Sequence, residues 1–297
     1  MAITNPVITT KNQWLAHLQL EFGRTGHGTQ LMRTQRKGPL LVQKAFYPEG
    51  KECAHIYLLH PPAGIVSGDE LRVTMDIKTA AHTLITTPGA NRFYRAREDL
   101  SIGDPQQTQI TTLHLESLAQ CENFPQETIV YSGAAGVNSV DIHLAADSVY
   151  LGWDITCLGL PSSQQPFVNG SYTQLNRLFC DNKLVYHDRI SISAENNLLN
   201  HPAGLAGNSV FATFIIYAPG KLQNSQQFTA LVDSLRLQVE QAQAMDKISI
   251  TNIQGLLVIR YLGQHAQECK ELFIQLWVIA RPICLNKAAL QPRIWHT

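Results

Sequence analysis

Apolar and polar residues alternate along most of this chain, which is the pattern of β-strands that bury one face. In residues 71–77 every odd-numbered position is apolar and every even-numbered position is polar, and residues 139–144 alternate in the same way. Turn residues separate such segments. The further predicted strands are residues 40–46, 55–59, 82–87, 110–115, 128–131, 149–157, 172–180, 183–187, 189–193 and 210–217. The pattern therefore predicts a body of many short strands.

Two segments in the C-terminal third repeat with the 3.6-residue period of an amphipathic helix. They are residues 224–245 and 264–280, and between them residues 248–252 and 256–260 have the pattern of a β-hairpin. Asn224 is the expected N-cap of the first helix, and the second helix is expected to end before Pro282. No long linker flanks either helix. The sequence therefore predicts a single mainly β domain, residues 1–297, with two packed helices.

The composition limits the possible partners of the chain. Of its 297 residues 44% are hydrophobic and 15% are charged, and this charged share is well below the roughly 25% of an average globular protein. Lys and Arg together number 23, as do Asp and Glu, so the formal net charge is zero. We therefore expect a large core, no nucleic-acid partner and a tendency to self-association, because little net repulsion keeps copies apart.

Targeting and redox features favour a cytoplasmic location. The N-terminal sequence lacks the basic and apolar regions of a signal peptide, and no apolar run reaches the roughly 18 residues needed to cross a bilayer. The six cysteines are widely spaced and form no Cys-x-x-Cys pair. We expect them to be reduced and buried, in a protein without a membrane span.

Common catalytic motifs do not occur in the sequence. It has no Gly-x-Ser-x-Gly elbow, no His-Glu-x-x-His pair and no zinc-binding cysteine pattern. The segment Gly23-Arg-Thr-Gly-His-Gly28-Thr29 has the glycine spacing of a phosphate-binding loop, but the lysine that would contact phosphate is missing. We interpret this segment as a turn.

One of the eleven dispersed histidines shares the face of a predicted strand with an aspartate. Asp141 and His143 are two residues apart on a predicted strand, so their side chains share a face and could share a metal ion. A high-affinity metal site usually needs three or four ligands. We therefore favour a hydrogen-bonded Asp–His pair at this position.

Seven ordered segments combine glycine, proline, charged and aromatic residues. They are Gly38-Pro-Leu-Leu-Val-Gln43, Phe46-Tyr-Pro-Glu-Gly50, Leu58-Leu-His-Pro-Pro-Ala-Gly64 with Ser67-Gly-Asp69, Thr86-Thr-Pro-Gly-Ala-Asn-Arg-Phe-Tyr-Arg95, Phe124-Pro-Gln-Glu-Thr-Ile-Val130, Gly152-Trp-Asp-Ile-Thr-Cys-Leu-Gly-Leu-Pro161 and Arg281-Pro…Gln291-Pro-Arg-Ile-Trp295. Together they resemble the urease accessory protein D family (UreD, also called UreH), from Leu20 to Thr297. The chain departs from the family pattern at Ala63, where glycine is common, and at Leu160, where arginine is frequent.

The resemblance implies a β-helical body carrying a few helices, which agrees with the two-residue period. It also implies a role without catalysis in the maturation of urease. Members of the family act with UreF and the GTPase UreG on apo-urease and help to insert nickel. The resemblance thus implies a chaperone-like scaffold and nickel conduit with these partners and no tightly bound cofactor. The GTP-binding loop would belong to UreG, in agreement with the missing lysine here.

A nickel conduit needs weak, scattered ligands, because a protein that binds the ion tightly cannot pass it on. Nickel(II) accepts carboxylate, imidazole and water ligands. The candidates for transient nickel contacts are Asp69 in the Ser-Gly-Asp turn, Asp154 in the Trp-Asp-Ile strand and Asp188 after His187. Each has a structural alternative: Asp69 as a turn former, Asp154 as a partner of a neighbouring loop, and Asp188 as a surface charge.

Two other functions stay open from the sequence. β-Helical proteins are often carbohydrate-active, so the chain could be a hydrolase, which activity without partners would reveal. It could also be a pure interaction scaffold through which no nickel passes. Normal activation of urease by a chain that binds no nickel would favour that alternative.

Overall fold

The strands predicted from the two-residue period form two facing sheets. The structure is a computed structural model that describes residues 14–219 and 225–296. Within these residues the first sheet has seven strands and the second has eleven. The strands of the first sheet are β1 Trp14–Thr25, β2 Gly28–Lys37, β5 Asp69–Ile77, β8 Gln107–Leu115, β11 Ala135–Leu144, β14 Ser171–Cys180 and β15 Lys183–Ser193.

The second sheet contains shorter strands in its first half. Its strands are β3 Leu41–Val42, β4 Ala54–Leu59, β6 His82–Thr86, β7 Asn91–Phe93, β9 Gln120–Phe124, β10 Thr128–Val130, β12 Val149–Leu160, β13 Gln165–Pro166, β16 Val210–Tyr217, β17 Ile248–Ile253 and β18 Leu256–Gly263. Single 3₁₀ turns occur at Leu100–Ile102, Pro161–Ser163 and Arg293–His296.

Successive coils give the body its β-helical form. Strands β5, β6 and β7 follow one another in the chain and form one coil. They pair in parallel with β8, β9 and β10 of the next coil, respectively. Strands β11 and β12 continue the coils. Because a tight hairpin cannot join parallel strands, each coil crosses to the opposite sheet before returning. This confirms the mainly β, β-helical architecture.

Antiparallel pairs complete both sheets. In the first sheet β1 pairs with β2 and β14 pairs with β15, and the second sheet continues from β12 through β16 and β18 to β17. Two strand predictions need correction. Residues 40–46 contribute only β3 and an isolated bridge at Phe46, because the register with β4 shifts by one residue between Val42 and Phe46 and interrupts the pairing. Residues 183–187 and 189–193 form one strand, since Asp188 continues the pairing with β14 opposite Asn176.

The glycine-rich segment that begins at Gly23 is a hairpin turn, as predicted. The pairing of β1 with β2 ends at Thr25 and Gly28, leaving two residues in the loop. Gly28 has φ +96°, and a Cβ atom there would lie 2.1 Å from the carbonyl oxygen of Lys51. Glycine is thus required by the close approach of another backbone segment rather than by a phosphate.

Two apolar clusters stabilise the fold. The first fills the space between the sheets with inward-facing residues of β1, β5, β8 and β11, such as Leu20, Met75, Leu113 and Ile142. The second lies on the outer face of the second sheet, where strand residues such as Trp153 meet the two helices. Strands of the second sheet are therefore buried on both faces, which explains their nearly continuous apolar sequences.

The two predicted helices are present in the C-terminal third. Helix α1 spans Ser225–Gln241 and helix α2 spans Ala266–Leu285; the predicted N-cap of α1, Asn224, lies outside the described residues. Helix α2 continues past Pro282, which corrects the predicted end. The buried Cys284 and Leu285 hold its last turn against the sheet and offset the lost N–H of proline. Neither helix in the described part is long and apolar enough to span a membrane.

All six cysteines lie within the described residues. Each is a free thiol, and five of them are buried while Cys180 is half-buried. The predicted reduced state agrees with this placement, in which the cysteines act as small apolar core residues.

Candidate functional site: a polar cavity inside the β-helix

A row of amide side chains crosses the interior of the β-helix. Asn138 on β11 stands in register with Gln109 on β8 and with Gln174 on β14. These positions belong to the inward faces of their strands, which are apolar further along. The sequence contained a signal for this row, since amide residues interrupt an otherwise apolar face once in residues 136–144 and twice in residues 172–178. Without knowing which strands are neighbours, however, the row could not be assembled.

Asp154 faces this row from the opposite sheet. Its neighbours Trp153 and Ile155 pack toward the helices, so the alternation on β12 turns the Asp154 side chain into the interior. Its Oδ2 atom accepts hydrogen bonds from Gln174 Nε2 at 3.0 Å and from Asn138 Nδ2 at 3.2 Å. The structural alternative for Asp154, a strand residue bonded to a neighbouring loop, is therefore wrong: its partners are interior amides on strands.

Two oxygen atoms at this point lack hydrogen-bond donors. Asp154 Oδ1 and Asn138 Oδ1 are buried and accept no hydrogen bond from any described residue. Nor does any Lys, Arg or His in the described part of the chain form an ion pair with Asp154. Buried acceptors are normally satisfied, so such a pair marks a place for water or a cation.

Burial raises the pKa of Asp154 to about 6, and the hydrogen bonds from Gln174 and Asn138 only partly oppose this shift. The Thr156 hydroxyl lies close enough to favour the charged form but makes no well-formed hydrogen bond. The carboxyl group is thus ionised at neutral pH and uncompensated, and it becomes protonated in mild acid.

A cavity of about 290 Å³ leads to Asp154 from the surface. Its outer end lies between two exposed loops that contain Ala63 and Gly89, and its inner end is lined by Asn138 and Asp154. Ala63 has φ +63°, which explains why glycine suits this position in the family pattern. Two further small voids are also lined by Asp154. Three adjoining spaces therefore converge on one carboxylate.

Asp188 lies at the far side of the same region. It lines one of the small voids together with Asp154, and it is partly exposed at 19% of its side-chain surface. Its Oδ2 accepts a hydrogen bond from the Tyr186 hydroxyl at 3.1 Å and lies 3.6 Å from Arg260 Nη2. Asp188 is therefore a paired carboxylate between Asp154 and the surface.

Asp69 is separate from this region. It is the first residue of β5, it is buried, and it is not among the residues that line the cavity. Its Oδ2 accepts from the Val66 N–H at 3.0 Å, and its own N–H donates to the Val66 carbonyl at 3.0 Å. Burial raises its pKa, and the Val66 hydrogen bond opposes this. The geometry is that of a turn former.

Replacing Asp69 with alanine should destabilise the fold by about 1 kcal/mol, because the Val66 N–H loses its acceptor. Asp69→Asn keeps a side-chain oxygen and should lose less. Urea denaturation of both variants measures the difference. Equal stability of wild type and Asp69→Ala would show that the turn does not depend on this bond.

A second polar cluster is buried beneath helix α2. The carboxylates of Glu49 and Glu122 flank the guanidinium of Arg281, with Nη2–Oε distances of 2.7 Å and 3.0 Å. His55 and His82 contact the same two carboxylates. Two groups of three side chains here, each including Cys53, have the residue types and the spacing of metal ligands. The cation of the cluster is already the guanidinium, so we interpret it as a structural ion network.

Comparison with known proteins identifies the family. Residues 15–296 match the sequence model of the family described as UreD urease accessory protein. The chain belongs to the UreD family. UreD of Psychromonas ingrahamii is 69% identical over 303 residues, which cover 99% of this chain and 98% of that protein. UreD of Marinomonas sp. is 40% identical, covering 96% of this chain and 91% of the relative, and UreD of Dechloromonas aromatica is 36% identical, covering 96% and 95%.

Membership of the UreD family confirms the resemblance inferred from the seven motifs. It makes the chain a urease accessory protein rather than a catalytic enzyme, and it connects the chain with the machinery of urease maturation. Two of the motifs form the outer loops of the cavity, and a third carries Asp154. The roles of Asp69, Asp154 and Asp188 toward nickel stay predictions.

Proposed function

We propose that this chain is a scaffold and nickel conduit for the insertion of nickel into urease, acting in the cytoplasm with UreF, the GTPase UreG and apo-urease. Nickel(II) is its cargo and is bound only transiently. The observation that supports this proposal most strongly is Asp154, a buried carboxylate to which no described residue supplies a counter-ion, at the meeting point of three internal spaces.

The interior of the β-helix offers oxygen ligands where a cation would otherwise lose its hydration. Moving an ion into an apolar medium is very unfavourable unless polar groups replace its water. Asp154 Oδ1 and Asn138 Oδ1 are both free acceptors, and the amide row continues on either side. A hydrated nickel ion could therefore exchange some of its water ligands for these oxygens with little net loss of solvation free energy.

The same site is too weak to retain the ion. One carboxylate with amide oxygens falls short of the three or four strong ligands that hold a transition metal tightly. Because Asp188 is paired with Arg260, it would interact with a cation less strongly than Asp154 does. The ion would thus be held most strongly at the middle of the passage and released toward either end.

Energy input for the process would come from the partner GTPase. The glycine-rich segment of this chain is a hairpin turn closed against the Lys51 backbone, with no space for a phosphate group at Gly28. The accessory role of the family and the free cysteines of this chain both suit a cytoplasmic assembly step.

The proposal can be tested by expressing the urease subunits with UreF and UreG, in the presence and absence of this chain. With the chain present, we expect a stable complex that includes UreF, and we expect urease to carry close to its full nickel content. Without it, urease should assemble with little nickel. Full nickel content in its absence would overturn the proposal. A complex that forms while nickel bypasses the chain would leave only the scaffold role.

A further inference from the structure

The outer face of the first sheet carries two histidines that touch each other. His114 on β8 and His143 on β11 are in register, and their rings stack with centroids 4.8 Å apart and planes inclined by 23°. The ring of Phe179 on β14 stacks on the other side of His143 at 4.7 Å. On the other side of His114, its register partner is Asp76 on β5. We call Asp76, His114 and His143 the histidine row.

The histidine row is separate from the polar cavity. In β11 the apolar residues Ile142 and Leu144 point into the core between the sheets, so His143 points outward. The same alternation places Asp76 outside, next to the buried Met75 and Ile77. Asp154 lies on the inner side, and the row therefore depends on different residues and on a different surface.

The imidazole nitrogens of the row are available as ligands. No described residue forms a hydrogen bond or ion pair with the ring nitrogens of His114 or His143. Burial, followed by the charge of His114, disfavours the charged form of His143 and so lowers its pKa. Asp76 Oδ2 accepts a hydrogen bond from Gln19 at 3.2 Å, and Oδ1 accepts none from any residue that the structure describes.

Asp141, the carboxylate nearest to His143 in the sequence, is occupied. Both of its oxygens accept hydrogen bonds from Arg177, at 2.7 Å and 2.6 Å. The prediction of a hydrogen-bonded Asp141–His143 pair is therefore wrong, because the neighbouring strand β14 supplies the guanidinium of Arg177 to Asp141. The other charged groups beside the row are Glu21 on β1 and Asp141, which are negative, and Arg177 and Lys78, which are positive.

We propose that Asp76, His114 and His143 form a surface site for a divalent first-row transition ion, with water completing its coordination. Strands in a sheet lie about 4.8 Å apart, so three neighbouring strands bring the side chains over the central His114. Two ring nitrogens of one tetrahedral or octahedral ion lie about 3 to 3.5 Å apart for metal–nitrogen bonds of about 2.1 Å. As placed, the ligand atoms of the three described side chains do not all lie within 4.8 Å of one another, so the two partly exposed rings must rotate from their stack to bind one ion.

The donor set determines which ions the site selects. Two imidazoles and one carboxylate suit nickel, zinc, cobalt and copper, whereas magnesium and calcium prefer oxygen ligands. The site is therefore selective in a way that the oxygen-lined cavity is not. Its existence does not rest on the proposed conduit, and either could be present without the other.

Aromatic stacking is the alternative explanation of the row. Replacement of the histidines by phenylalanine distinguishes metal binding from stacking. In His114→Phe/His143→Phe the ladder with Phe179 is kept and every ligand nitrogen is lost. We propose isothermal titration with Ni²⁺ alone, in an Asp154→Asn background that removes the interior carboxylate. His27→Phe, in the exposed β1–β2 turn, is the matched control.

The expected result is one Ni²⁺ site that the control retains and that the double Phe variant loses. The affinity should fall by at least about tenfold, since even replacing a residue that only orients a ligand weakens metal binding by about 10- to 100-fold. Asp76→Asn should weaken binding less, and Mg²⁺ should not compete. With Cu²⁺, the electron paramagnetic resonance spectrum should show two nitrogen ligands.

Unchanged Ni²⁺ affinity in the double Phe variant would overturn the proposal, as would a copper spectrum without nitrogen coupling. If the Phe variant does not fold, His114→Gln/His143→Gln provides the same test, because glutamine lacks the imidazole lone pair. Urease activation by these variants distinguishes the surface site from the proposed nickel conduit. If the conduit proposal is wrong, Ni²⁺ should still bind to the histidine row.

Discussion

Replacing Arg281 with alanine is expected to lower the free energy of unfolding by about 3–5 kcal/mol, the loss typical of removing one partner from a buried ion pair. Arg281 and Glu122 are both completely buried. The Glu122 carboxylate also accepts a hydrogen bond from Trp277 Nε1 at 2.7 Å, and Arg281 Nη1 donates to the Ala288 carbonyl. The variant would leave a buried carboxylate without its cation and release the segment that follows helix α2.

The effect of this substitution should depend on pH. Burial alone would raise the pKa of Glu122, but the His82 hydrogen bond and the charge of Arg281 lower it from 4.5. Because the folded pKa is below the unfolded value, this carboxylate adds stability above about pH 4.5 that is lost in acid. In Arg281→Ala the buried carboxyl becomes less unfavourable once protonated. The difference from wild type should therefore be largest near pH 7 and shrink below pH 4.5.

Arg177→Ala is the matched control, because Arg177 pairs with Asp141 on the surface with 38% of its side chain exposed. An exposed pair contributes about 1 kcal/mol or less. Urea denaturation at pH 7 and at pH 4 measures all three proteins. Similar losses in Arg281→Ala and Arg177→Ala would show that the buried network adds little stability.

The local elements of the fold were predictable, whereas the contacts between distant elements were not. Residues 71–77 and both helices follow directly from periodicity, because alternation and the 3.6-residue repeat depend on neighbouring positions. Arg281 and Glu122 are separated by 159 residues. No local pattern indicates that α2 covers β9, so a fully buried arginine could not be expected. The same network also holds α2 beyond Pro282, where local rules predict its end.

The candidate site was predictable only in part. Asp154 stood out as a charge in an apolar strand, and the structure places it at the inner end of the cavity. Asp188 lies near it because the β14–β15 hairpin places Asp188 opposite Asn176, and both line a void together with Asp154. Asp69 is in an equally distinctive motif but closes a turn. A distinctive sequence motif alone could not show whether its aspartate forms a turn or lines a cavity, since both roles require a particular side chain.

Replacing Asp154 with asparagine is expected to stabilise the fold while impairing nickel transfer. The two side chains have the same shape, and the asparagine oxygen can accept the hydrogen bonds from Gln174 and Asn138. The pKa of Asp154 is raised from 3.8 to about 6, so wild type loses stability as pH rises between about 4 and 6. The variant avoids this loss, which is at most about 3 kcal/mol. Its melting temperature should exceed that of wild type at pH 7.5 and match it near pH 4.

Nickel transfer should change in the opposite direction. A neutral amide cannot replace the charge that offsets the dehydration of a divalent cation, so nickel per urease active site should fall although the accessory complex forms normally. Asp154→Glu should restore part of the transfer, and Asp233→Asn, on the exposed face of α1, should behave as wild type. Wild-type transfer should itself decline below about pH 6, as Asp154 becomes protonated. A more stable Asp154→Asn variant that still delivers full nickel would show that the buried carboxylate is not on the route of the ion.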